Sequence, residues 1–235
     1  MSSALKAALV AGLVAGLAMG LFHFFFTEPI IDQAIALETE EGSEVVSRAA
    51  QRGMLIIGSG LYGLAIGAVF ALVLFALNRR LPGRGLNTRA VILAGILFWA
   101  VALLPFLKYP ANPPGVGNPD TMYFRQMAQI SFIAFSALAV LTAGITHWLI
   151  GRRWGDILSA QWRLGITAGL YGVLVILLFI LMPDTSEASS VPSDLIRNFR
   201  ILSLSGHALF WLVLGGVSAI LLKRIAPQEM LRKAV

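Results

Sequence analysis

Six stretches without a charged side chain run through the sequence: Ala7–Phe26, Gly53–Leu77, Ala90–Leu107, Met127–Ile150, Leu164–Met182 and Ile201–Leu222. A helix needs about 20 mostly apolar residues to cross a hydrocarbon layer of roughly 30 Å. All six are near or above that length, the third being the shortest. Nothing in them alternates as barrel strands do, and unpaired amides are too costly in lipid, so the spacing predicts helices. The pattern therefore predicts an all-α protein, a polytopic membrane bundle of about six transmembrane helices. The runs leave little room for a separate globular domain, and residues 1–235 are read as a single transmembrane domain.

The polar positions between the runs are sorted by charge. Lys6, then Arg79, Arg80, Arg84 and Arg89, then Arg152, Arg153 and Arg163, then Lys223, Arg224, Arg232 and Lys233 fall in alternate connections. The other connections hold Glu28, Asp32, Glu38, Glu40, Glu41, Glu44, Asp120, Asp184, Glu187 and Asp194. Basic loops stay cytoplasmic, which places both the N and the C terminus on the cytoplasmic side of the cell (inner) membrane. Composition agrees: 57% of residues are hydrophobic and 13% charged, too apolar for a soluble chain of this length. The net charge of +6 thus reports topology and a lipid bilayer partner, not a nucleic-acid surface. The first run is too long for a signal-peptide core, and Asp32 sits badly before Ala34-Ile35-Ala36, so it is read as a retained span.

Three short matches recur in the same order in the two halves. Gly20-Leu21-Phe22-His23 resembles Gly144-Ile145-Thr146-His147, Gly60-Leu61-Tyr62-Gly63 recurs as Gly169-Leu170-Tyr171-Gly172, and Leu97-Phe98-Trp99 recurs as Leu209-Phe210-Trp211. Each is weak alone, but all fall in corresponding spans. Three spans per unit is an odd number, so the expectation is an inverted three-plus-three repeat with halves 1–126 and 127–235. Gly12, Gly16 and Gly20, four apart, line one face of the first helix and predict close backbone approach to a neighbour.

An ionisable side chain within a span is a functional candidate. His23 lies about 4.5 Å inside the outer end of the first span and His207 about 9 Å inside that of the sixth, at 1.5 Å per residue. Those depths suit a shared site if the helices are neighbours. His147 lies near the opposite face and reads as an interfacial hydrogen-bonding residue. Glu28 and Asp32, four apart, lie just beyond His23, and Glu38, Glu40, Glu41 and Glu44 follow. Imidazole and carboxylate without thiolate (the chain has no cysteine) suit a borderline divalent metal ion. An acidic mouth would also concentrate cations.

The segment Lys108–Asp120 carries three prolines in five residues, which impose a stiff extended path. Asn118 followed by Pro119 predicts a helix cap with proline in the first turn. Asn112 and Asp120 from this segment join His23, Glu28, Asp32 and His207 as candidate metal-ligating residues. No catalytic motif and no nucleotide-binding loop is present, so neither an enzyme nor a bound cofactor is expected.

The segment Lys108-Tyr109-Pro110-Ala111-Asn112-Pro113-Pro114, with Val116-Gly117 and Pro119-Asp120, resembles the signature of the CbtA family of cobalt-transport membrane subunits. So do His23-Phe24-Phe25-Phe26-Thr27-Glu28-Pro29 with Ile31-Asp32 and Ala34-Ile35, then Glu44, Arg48 and Gln51, and Gly206-His207 with Trp211. The resemblance covers nearly the whole chain and implies uptake of cobalt, linked to cobalamin supply. It further implies a small single-span companion with a His-rich end, since this chain has no His-rich tail of its own. The family is described with five spans, against six here. Two other readings stay open: a non-transporting assembly or sensing subunit, and a membrane enzyme acting on a lipid or corrinoid.

Overall fold

The computed structural model describes residues 2–37, 47–83, 85–185 and 191–232. Glu38, Glu40, Glu41 and Glu44, together with Arg84, Glu187 and Lys233, lie outside the described residues. The described residues form helices and turns only: α1 (Ser2–Phe22), α2 (Glu28–Ile35), α3 (Arg48–Leu77), α4 (Leu86–Leu97), α5 (Leu104–Lys108), α6 (Met122–Trp154), α7 (Ala160–Leu181) and α8 (Ser193–Arg232). Two π-helical turns, His23–Thr27 and Phe98–Leu103, join α1 to α2 and α4 to α5 without interruption. Six continuous helices are long and apolar enough to cross a membrane: Ser3–Ile35, Arg48–Leu77, Leu86–Lys108, Pro119–Trp154, Ala160–Leu181 and Ser193–Arg224. The third run, shortest by sequence, is extended at both ends into a 23-residue helix.

The two π turns share a cause. Each ends two residues before a proline, Pro29 in one case and Pro105 in the other. Proline supplies no N–H and its ring crowds the carbonyl four residues back. Widening the preceding turn removes that conflict without breaking the helix, and such turns often lie at functional sites. In the first, the Glu28 N–H reaches back five residues to the His23 carbonyl.

Polar caps set the helix starts. Ser47 and Ser159 accept from the backbone N–H of Ala50 and Trp162. Asn118 accepts from the Asp120 N–H at 2.9 Å, with Pro119 opening the short turn before α6, as the sequence predicts.

The chain divides into two compact units. The first takes the described residues of Met1–Phe98, Ala111–Val116 and Ser190–Val235; the second is Trp99–Pro110 with Gly117–Ser189. In the first, α1 packs against α3 and α8, and α4 packs against α8. In the second, α6 packs against α7, and Leu104, Tyr109, Ala128 and Phe132 form a core against Val175, Leu178, Phe179 and Met182. The Phe132 ring stands edge-on to Tyr109 and Phe179, at 5.6 and 5.4 Å between centroids. Burial, then the negative charge of Asp184, push the Tyr109 phenol above its ordinary pKa. Its hydroxyl donates to the Pro183 carbonyl at 2.7 Å.

The α1–α3 seam is built from glycines. A β-carbon on Gly12 would strike the Gly63 carbonyl, and one on Gly16 the Ser59 carbonyl. A β-carbon on Gly20 would lie 2.9 Å from that of Ser59. The predicted close approach thus forms, with Ser59, Gly63 and Gly67 as its other half. Gly16→Ala and Gly63→Ala should each destabilise the protein by about 1–3 kcal/mol, the usual cost of overpacking. Gly95→Ala, where an added β-carbon meets nothing within 4 Å, should not. Thermal unfolding of the three variants in one detergent checks the contrast.

Candidate functional site

Helical segments of the first unit carry four of the six candidate residues: His23, Glu28, Asp32 and His207. His23 opens the π turn of α1, and its Nδ1 shares a hydrogen bond of 2.8 Å with the hydroxyl of Thr27, which is buried. That bond fixes the ring's orientation and leaves Nε2 pointing away from Thr27. The Nε2–Cε1 edge lies against Gly206 of α8, in the space that a β-carbon there would occupy. His207 is the next residue of α8. The spans that carry the two histidines are therefore neighbours, and Gly206 seats the His23 ring.

The carboxylates have a different surrounding. Glu28 and Asp32, one turn apart on α2, face Arg48 and Arg52, one turn apart on α3. Arg48 donates to Glu28 at 2.6 Å and to Asp32 at 2.8 Å. Arg52 donates through Nε to Glu28 at 3.3 Å and through Nη2 to Asp32. Gln51 accepts a further bond from Arg48 at 2.8 Å. Two negative and two positive groups close the network at zero net charge. This end of α2 is therefore compensated by arginine rather than left as an open acidic surface.

Asn112 is likewise engaged. Its Oδ1 accepts from Arg200 of α8 at 2.7 Å, and the neighbouring Ala111 carbonyl accepts from the same guanidinium at 3.4 Å. Asp120 belongs to the second unit, exposed in the short turn that Asn118 caps. His147, also there, meets the Thr167 hydroxyl at 3.2 Å, consistent with a hydrogen-bonding role. Among the described residues, no three His, Asp or Glu side chains converge as a metal-binding group.

A cleft of about 420 Å³ opens between α1, α3 and α8, lined by Met19, Met54, Leu55, Gly58, Ser59, Tyr62 and His207. Sequence reasoning missed Arg52 and Arg200 as partners of its candidate oxygens, and Met19, Met54 and Tyr62 as neighbours of His207. The arginine signal was present: Arg48 and Arg52 repeat the four-residue spacing of Glu28 and Asp32.

Removing Arg48 leaves the buried Glu28 with one long contact, and breaking a buried pair costs about 3–5 kcal/mol. Arg48 is partly exposed, so Arg48→Ala should fall near or below the lower end of that range. The exchange Glu28→Arg with Arg48→Glu should recover part of the loss relative to either single change. A double-mutant cycle of unfolding midpoints measures both.

The model of one family, described as probable cobalt transporter subunit (CbtA), matches residues 1–223 of the chain. No curated protein and no solved structure shows significant similarity to it.

Proposed function

The chain belongs to the CbtA family of probable cobalt transporter subunits, and on that premise we propose that it admits a divalent cation, cobalt, for cobalamin supply. It acts in the cell (inner) membrane with both termini cytoplasmic, beside a small single-span companion whose His-rich end captures the metal. The observation that supports this reading is the seating of the His23 ring on Gly206, the residue before His207. Imidazole suits Co²⁺ and its neighbours in the transition series. Two imidazoles without a fixed carboxylate bind weakly enough to release, which conduction requires.

Glu28 and Asp32 take part only by exchange. A cation reaches their oxygens when an arginine lets go, so the network admits the ion in one state and is self-paired in the other. Asn112 is in the same position toward Arg200. Asp120 makes no ion pair among the described residues, and it offers a first, weak contact in solvent.

Accumulation of trace radioactive cobalt in cells expressing the chain with its companion tests the proposal. The His23→Ala/His207→Ala variant, at matched membrane abundance, should fall to the level of empty cells. Gly206→Ala should lower uptake as well, because the added methyl displaces the His23 ring. Uptake untouched by the double variant would point instead to an assembly or sensing subunit. Intact protein and companion that accumulate no more than empty cells would overturn the transport reading.

A further inference from the structure

The cleft beside His207 has an unusual donor set for a membrane interior. Leu55, Gly58, Ser59 and Tyr62 recur at the spacing of one helix face, so α3 turns a continuous stripe into it. Met54, largely exposed, adjoins that stripe at the open side of the cleft. From α1 comes Met19, which is buried and lies one turn below His23 on the same side of the helix. From α8 comes His207. Neither His207 nor Tyr62 makes a hydrogen bond to any described residue, Tyr62 meeting only the Phe210 ring, at 5.5 Å.

Polar groups held at membrane depth without partners are costly, and protein lowers that cost by lining a space with them. Here the space offers an imidazole, a phenol, a serine hydroxyl and two thioethers, and no carboxylate. Mg²⁺ and Ca²⁺ demand oxygen ligands, several of them charged, and gain little from such a set. Thioether and imidazole favour softer and borderline transition-metal ions. Methionine is also flexible and binds through a single weak donor, so its ligation is readily exchanged.

We infer that Met19 and Met54 are thioether ligands that, with His207, form an uncharged binding station one turn deeper than His23. The inference rests on the transport reading and assigns it two residues and a basis for selection. An ion leaving His23 meets Met19 about 6 Å further along α1, at 1.5 Å per residue. His207, seated next to the Gly206 on which the His23 ring lies, is placed to take part in both steps. Selection against hard ions then occurs where no carboxylate can hold them.

The chain contains seven methionines and no cysteine, so sulfur bound to cobalt in this protein can only be thioether. X-ray absorption at the cobalt edge of the purified, cobalt-loaded protein reads this directly. The wild type should show a sulfur shell, replaced by a selenium shell in selenomethionine-labelled protein. Met19→Leu/Met54→Leu, a swap of similar volume that cores usually tolerate, should lose the shell and reduce uptake at unchanged membrane abundance. Met19→Ile/Met54→Ile provides a second branched replacement should the leucine pair fold poorly.

A nitrogen and oxygen shell alone in the wild type, with uptake intact, would overturn the thioether station and leave the transport reading standing. So would uptake by cells whose purified protein retains no cobalt, or a leucine pair that keeps both shell and uptake. Absence of both retained cobalt and uptake would remove the transport reading and this inference together.

Discussion

The site region depends on how near two backbones come. Along the α1–α3 seam, carbonyl oxygens of one helix lie where β-carbons of the other would be. Lipid tails are as apolar as leucine, so association in a bilayer comes from close packing rather than from escape out of water. Glycine and serine make that contact possible, and the contact sets the spacing of everything above it. At that spacing Arg48 and Arg52 reach across to Glu28 and Asp32 on the continuation of α1. The cleft with Met19 and Tyr62 opens where the seam's small residues give way to larger ones. A wider seam would separate the ion pairs.

The compensated carboxylates change what the helix ends can do. An open acidic mouth raises the local concentration of any cation, including the abundant Mg²⁺ and Ca²⁺. Glu28 and Asp32, each paired with arginine, add no net negative charge to that effect. The ion-pair network also joins α2 to the first two turns of α3, holding down the helix that follows the first π turn. His23 thus sits between a rigid seam on one side and a charge-locked helix on the other.

Much of this was legible in the sequence, for reasons that differ by level. The six helices followed from the lengths of the uncharged runs, because lipid leaves a backbone no other option. The glycine face of α1 and the Asn118–Pro119 cap followed from local stereochemistry. Depth arithmetic put His23 and His207 at similar levels, but that their helices are neighbours had to be supplied by the fold. The π turns were not read, although Pro29 and Pro105 mark both. A proline late in a helical run reads as a break or kink, and widening the turn before it is the less common outcome. The partners of Glu28, Asp32 and Asn112 were not legible because they lie on other helices, far along the chain. Arg200 in particular lies at the start of a span, where its guanidinium must find an acceptor.

That same constraint accounts for the stiff segment between the third and fourth spans. Lys108 donates to the Phe179 carbonyl at 3.3 Å and Tyr109 to that of Pro183, so the segment begins anchored on the end of α7 in the second unit. Two residues later Ala111 and Asn112 are held by Arg200 on α8 in the first unit. The chain then returns through Gly115 and Gly117, whose φ values of +77° and +96° are favourable only for glycine. Pro110, Pro113 and Pro114 keep the stretch between the anchors from collapsing into a helix. The oxygens of Ala111 and Asn112 in this extended segment thus already accept from arginine. The residues that most resemble the family's signature therefore run between residues of the two compact units.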